Sequence, residues 1–205
     1  MSITATQTLP VTTNNDRSIM KIVKPIFLTI FILTIVGLSF RGWFYRHLVT
    51  YKSVGLRNNY SATSDKLVDY INANSDKQTN PDIEQIIEFG LSITSRKLKF
   101  SAKKSDTDPN KLINTKAAHC VGYTSFFAAT CNYLLKAYRL DDVWTAKPQV
   151  GQLYLLGTNI HRYFSSPFFK DHDFVTIENI KTGQTIAVDP VVNDYLYIDF
   201  VKYSK

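Results

Sequence analysis

From Pro25 to Phe40 the chain carries no charge, and in the run IVKPIFLTIFILTIVGLSF that starts at Ile22 only Lys24 is charged. A buried core helix would show polar positions on one side. Ile26–Phe31 shows only Thr29, so the pattern predicts a membrane-spanning helix over 22–42. Sixteen helical residues rise about 24 Å, against a hydrocarbon core of roughly 30 Å. Lys24 and Arg41 can snorkel, and Trp43, Phe44 and Tyr45 suit an interfacial aromatic belt. Gly37 and Ser39 also fit the small residues of a cleavable secretory signal, although the preceding region is long for one. Both readings direct the chain to export.

Residues 1–21 are Thr- and Asn-rich and read as a disordered tail, and 43–60 as a juxtamembrane connector. Ser64–Asn72 places Leu67, Val68 and Ile71 on one helical face. Asn80-Pro81-Asp82 reads as a helix start, with Asn as cap, and that helix runs to about Lys97. Polar residues 101–118 carry turn chemistry at Asp108-Pro109-Asn110. Cys120 then opens a helix whose buried stripe is Cys120, Thr124, Phe127, Cys131, Leu134, Leu135 and Tyr138. Strands are predicted at Val143–Ala146, Gln152–Leu156, Phe174–Glu178 and Thr185–Val188, the last two joined as a hairpin through Lys181-Thr182-Gly183. Helices first and strands after give an α+β class for a domain over 61–205.

Composition narrows the function. The formal charge is +7, from 24 Lys+Arg against 17 Asp+Glu, but no basic run accompanies it, so nucleic acid is not expected as a partner. An anionic membrane surface accounts for the excess equally well. Basic residues flank the apolar run almost evenly, with Arg17, Lys21 and Lys24 before it and Arg41, Arg46, Lys52 and Arg57 after. The short tail is the ground for expecting the tail inside and the domain on the extracytoplasmic side. Two cysteines are too few for a disulfide scaffold, and eleven residues of helix hold Cys120 and Cys131 about 16 Å apart, too far to pair. His47, His119, His161 and His172 do not form a zinc-type spacing; no metal or cofactor is expected. His161 reads as structural.

Three residues fall in an order that suits thiol chemistry. Cys120 sits at a helix start, where positive potential and unpaired N–H groups favour a thiolate and could hold an oxyanion. His172, just before a strand, could take the thiol proton and return it to a leaving group. Asp189, at the end of the next strand, could orient the ring. Taken singly, each has an ordinary alternative: a core cysteine, a surface or capping histidine, a turn aspartate.

The segment AAHCVGYTSFFAATCNYLL at 117–135 resembles the nucleophile helix of transglutaminase-like proteins. Cys120-Val121-Gly122-Tyr123 is similar to the Cys-x-Gly-Tyr form of exported bacterial members, His-Asp-Phe-Val-Thr-Ile at 172–177 to the family's His motif, and Ala187-Val188-Asp189-Pro190 to its Asp-Pro strand end. The resemblance covers about 80–192. It implies a papain-like α+β core with a Cys120–His172–Asp189 triad and acyl transfer through a thioester. The substrate would be a peptide or protein amide, with the membrane reached through 22–42. Protein-glutamine cross-linking and a catalytically silent interaction module are the alternatives. Ala118 stands where many members have Gly, and Gly157–Asp171 is extra length that could shape the cleft or face lipid.

Overall fold

The computed structural model of the chain describes residues 14–76 and 78–205, with side chains from 23 onward. Two compact units result, one ending at Phe40 and the other spanning Arg41–Lys205. The first holds α1 (Asn14–Ser39). Its tail expectation therefore fails from residue 14, which is already helical; residues 1–13 lie outside the described set. Pro25 lies inside α1, and Thr29 and Thr34 return their hydroxyls to the carbonyls of Pro25 and Ile30, both at 2.8 Å. Side chains such as Phe27 and Leu33 stand exposed. The helix ends at Ser39, short of the single span expected over 22–42. No single helix among the described residues is long and apolar enough to cross a membrane.

The second unit opens with α2 (Arg41–Leu48) and β1 (Val49–Leu56), so 43–60 is not a connector. It continues through α3 (Asp65–Asn74), α4 (Ile83–Lys97), β2 (Lys99–Phe100), α5 (Pro109–Leu112), β3 (Ala117–Ala118) and α6 (Cys120–Ala137). After these come β4 (Trp144–Leu155), β5 (Thr158–Asn159), β6 (Phe174–Asn179), β7 (Thr185–Val188), α7 (Pro190–Leu196) and β8 (Tyr203–Ser204). The class is α+β. The main sheet runs β7-β6-β4-β1-β8 with β5 on β4, antiparallel except for the β1–β8 pair.

Local chemistry explains the differences from the sequence expectation. Asp82, not Asn80, caps α4: its carboxylate accepts from Gln85 N, and the Gln85 side chain accepts from Asp82 N, a reciprocal capping box. Pro148 and Gly151 punctuate 144–155 as if two strands met there, yet β4 is one strand of 12 residues. Pro148 costs one ladder donor. The register shift at Ser53/Gly55 of β1 falls beside it, and Arg57 N donates to the Pro148 carbonyl at 3.0 Å.

Helix α6 packs on one face of the sheet, with α4 packed on α6 and α3 on α5. Leu67, Ile71, Ile86, Tyr123, Phe126 and Phe127 pack there with Val175, Ile177 and Val188. Each such large side chain contributes about 1.5–3 kcal/mol on burial. Gly90 tolerates the mid-helix cost of about 1 kcal/mol because a Cβ would lie 2.6 Å from Cys131 Sγ on α6. Side chains alternate across a strand, so Tyr51, Phe174 and Ala187 point to the opposite face and form a second cluster. Asp189, two residues beyond Ala187, falls on that same side.

Candidate active site

Cys120 is the first residue of α6, with 8% of its surface exposed. The preceding His119 caps the helix: its Nδ1 accepts from Val121 N at 3.2 Å. One of the N–H groups expected to serve an oxyanion is thus already occupied. Burial lowers the His119 pKa, in keeping with a neutral ring that accepts. Cys120 itself departs from the thiolate expectation. Burial first, and the charge of Asp173 second, push its thiol up to about 11, although the backbone N–H groups of Asp173 and Val121 pull the other way. Cys120 and Cys131 are both free and buried.

His172 and Asp189 are joined. His172 Nε2 lies 2.6 Å from Asp189 Oδ2. Asp189 is fully buried, and each of its oxygens has a separate task. Oδ1 caps α7, accepting from Val191 N at 3.0 Å and Val192 N at 3.1 Å, with Pro190 at the first helical position. Oδ2 receives the His172 ring and also the Tyr51 hydroxyl, at 2.7 Å. Since Tyr51 donates to the carboxylate, Tyr45 donates to the Tyr51 oxygen at 2.6 Å. Burial opposes the charge on both partners. The His172 charge, its bond and the Tyr51 bond outweigh this for Asp189, whose pKa is lowered; the Asp189 charge and bond outweigh it for His172, whose pKa is raised.

Backbone geometry fixes the ring. His172 N donates to Gly151 O at 2.9 Å, and a Cβ on Gly151 would lie 2.5 Å from His172 O and 2.6 Å from Phe174 Cδ1. Gly151→Ala is therefore expected to destabilise the domain by about 1–3 kcal/mol through overpacking. It should also displace His172, so that thiol reactivity at Cys120 falls in protein that is still folded. Urea titration beside labelling kinetics checks both.

The neighbouring Asp173 is fully buried and forked by Arg57, with Nε to Oδ2 at 2.8 Å and Nη2 to Oδ1 at 3.0 Å. Arg57 also reaches Asp171 at 3.3 Å. Burial raises the Asp173 pKa, and Arg57 opposes the rise. Neither Tyr51 nor Arg57 stood out in the sequence, because both lie in the stretch read as a connector.

Cys120 and His172 line one cavity of about 440 Å³ with Phe100, Leu153, Phe164, Phe168 and Phe169. No hydrogen bond links Cys120 Sγ to the ring among the described residues. Nε2 is committed to Asp189, which leaves Nδ1 as the nitrogen able to take a proton. On the other side of Cys120 lies a smaller recess of about 250 Å³, bounded by Lys104, His119 and Pro167. His161 is buried and lines the main cavity. No family model, curated protein or solved structure matches the chain.

Proposed function

We propose that the chain is a membrane-anchored cysteine hydrolase of transglutaminase-like, papain-type design, acting on peptide or protein amides. The observation that carries this is the His172–Asp189 pair at 2.6 Å on the wall of the cavity that also exposes Cys120 at the start of α6. In this mechanism the Cys120 proton passes to His172 Nδ1 as sulfur attacks the amide carbon. The C–N bond then breaks, and the amine leaves with that proton. Water hydrolyses the thioester, again through His172, and regenerates the thiol. Asp189 holds the ring and stabilises its positive charge. If an amine replaces water, the same steps give cross-linking.

The absence of a sulfur–ring hydrogen bond and the buried thiol favour one alternative, an interaction module without turnover. A small electrophilic thiol probe decides between them. Faster labelling of Cys120 than of Cys131 at neutral pH supports the enzyme; equal, slow labelling leaves the silent module.

The anchor rests on the apolar stretch of α1 from Pro25 to Ser39, where the large side chains stand exposed. A bilayer would cover that surface, with residues 43–205 outside the cytoplasm. Protease shaving of intact cells or spheroplasts is expected to digest the domain. Protection until lysis would overturn this placement.

A further inference from the structure

The cavity beside Cys120 is walled by rings. Phe168 meets Phe169 edge to face with centroids 4.9 Å apart, Phe164 meets Phe169 at 5.0 Å, and Phe100 meets Phe168 at 6.4 Å. The rings touch one another but do not fill the space between them. Phe164 and Phe169 remain 42% and 47% exposed. Apart from Asp171, beside His172, no charged side chain lines this space.

One polar group in the wall has no partner. His161 is 7% exposed, and one bond holds its backbone while another holds its ring. Its backbone N–H donates to Asn159 Oδ1 at 3.0 Å, and Nδ1 lies 2.7 Å from the Phe169 carbonyl oxygen. A carbonyl only accepts, so Nδ1 carries the hydrogen, and in the neutral ring Nε2 is a bare acceptor. That Nε2 is buried with almost no accessible surface and has no hydrogen-bond partner, so a donor reaches it only once a neighbouring side chain shifts. An orphaned buried acceptor is costly, and a ligand that donates to it recovers the loss. Aromatic walls with one orphaned acceptor select a flat apolar group that carries one N–H or O–H.

Building on the cysteine-hydrolase reading, we infer that the cavity receives the side chain of the acyl substrate, and that this side chain is aromatic with a hydrogen-bond donor, as in tyrosine or tryptophan. Its ring lies among Phe100, Phe164, Phe168 and Phe169, its donor meets His161 Nε2, and its carbonyl is delivered to Cys120. A glutamine side chain fits less well, because its apolar part is small and its own carbonyl finds no neutral donor among the lining side chains beyond the reacting pair.

The test uses chloroacetamides that share one warhead, whose chloride the Cys120 thiolate displaces. The amide substituents are 4-hydroxyphenethyl, indol-3-ylethyl, phenethyl, 3-carbamoylpropyl and methyl. Alkylation rates at Cys120, read by intact mass and divided by each compound's rate with glutathione, give the preference. The phenol and indole should exceed the carbamoyl compound by about tenfold or more and the phenethyl compound severalfold. His161→Leu should erase the advantage of phenol over phenethyl, and Phe168→Ala should lower the aromatic-to-methyl ratio. A carbamoyl compound as fast as the phenol, or a phenol no faster than phenethyl, overturns the inference. Saturation-transfer NMR of N-acetyl-tyrosinamide on the Cys120→Ala chain separates the two proposals. Binding there without methyl-compound labelling of the native chain upholds the cavity's ligand class and sinks the nucleophile. Absence of binding sinks the ligand class.

Discussion

Without the His172 ring, alkylation of Cys120 near neutral pH is expected to slow by about 10²–10⁴, the usual contribution of a positioned base. In His172→Ala the rate should follow the thiol's own ionisation, which burial and Asp173 push up to about 11. The profile would then climb through alkaline pH with no neutral plateau. On the proposed mechanism the base form of His172 is the active one, and its pKa is raised above the ordinary 6.5. Reactivity should therefore be low at pH 6 and rise as the ring loses its proton above 6.5, with Asp189→Asn moving that rise to lower pH. Cys120→Ala removes labelling at this position altogether. The measurement is labelling rate against pH for the native chain and the three variants. A native profile unchanged by loss of the ring would leave Cys120 as a structural cysteine.

The second large effect concerns Asp189, where fold and chemistry can be separated by two substitutions. Asp189→Ala removes the cap of α7 and the acceptor of Tyr51 and His172, where Asp189 and Tyr51 are fully buried. A lost cap costs about 1 kcal/mol, and stranded buried donors add about 1–3 kcal/mol, so a loss of roughly 3 kcal/mol or more is expected. Asp189→Asn keeps an oxygen for Val191 N and Val192 N, so stability should fall by less than half as much. Turnover should still drop tenfold or more, because the amide no longer enforces the ring's tautomer and charge. Chemical denaturation and turnover measured on both variants test the split. The pH dependence of native stability has two limbs. His172, with its pKa raised, contributes stability that is complete below 6.5 and is lost as pH rises through the folded value. Asp189, with its pKa lowered, contributes above its ordinary 3.8 and loses that contribution as pH falls through the folded value.

What could be read from the chain follows from where each signal is stored. The α6 stripe, the β6–β7 hairpin and the existence of a helix running to Lys97 are local, and periodicity or turn residues report them directly. Cys120, His172 and Asp189 sit at the ends of those elements, so the pairing of His172 with Asp189 beside Cys120 was legible as well. β1 was not. Of its residues only Tyr51 is buried outright, and VTYKSVGL shows no clean alternation because most of it faces solvent. Its pairing partners Gln149–Leu155 lie about a hundred residues away. The same distance hid Tyr51 and Arg57, whose roles exist only through Asp189 and Asp173, 138 and 116 residues downstream. The thiol pKa was misjudged for a related reason: a helix start predicts a field, but the burial and the nearby Asp173 carboxylate that overturn it are tertiary.

The Tyr51–Asp189 bond also orders events in time. During synthesis, residue 51 emerges long before residue 189, and the strand pairing that places it must wait for β4. The carboxylate that orients His172 becomes fixed only when α7 has wound on it. A nascent chain thus carries its cysteine and histidine without the means to align them. Reactivity of the proposed nucleophile would be withheld until α7 forms.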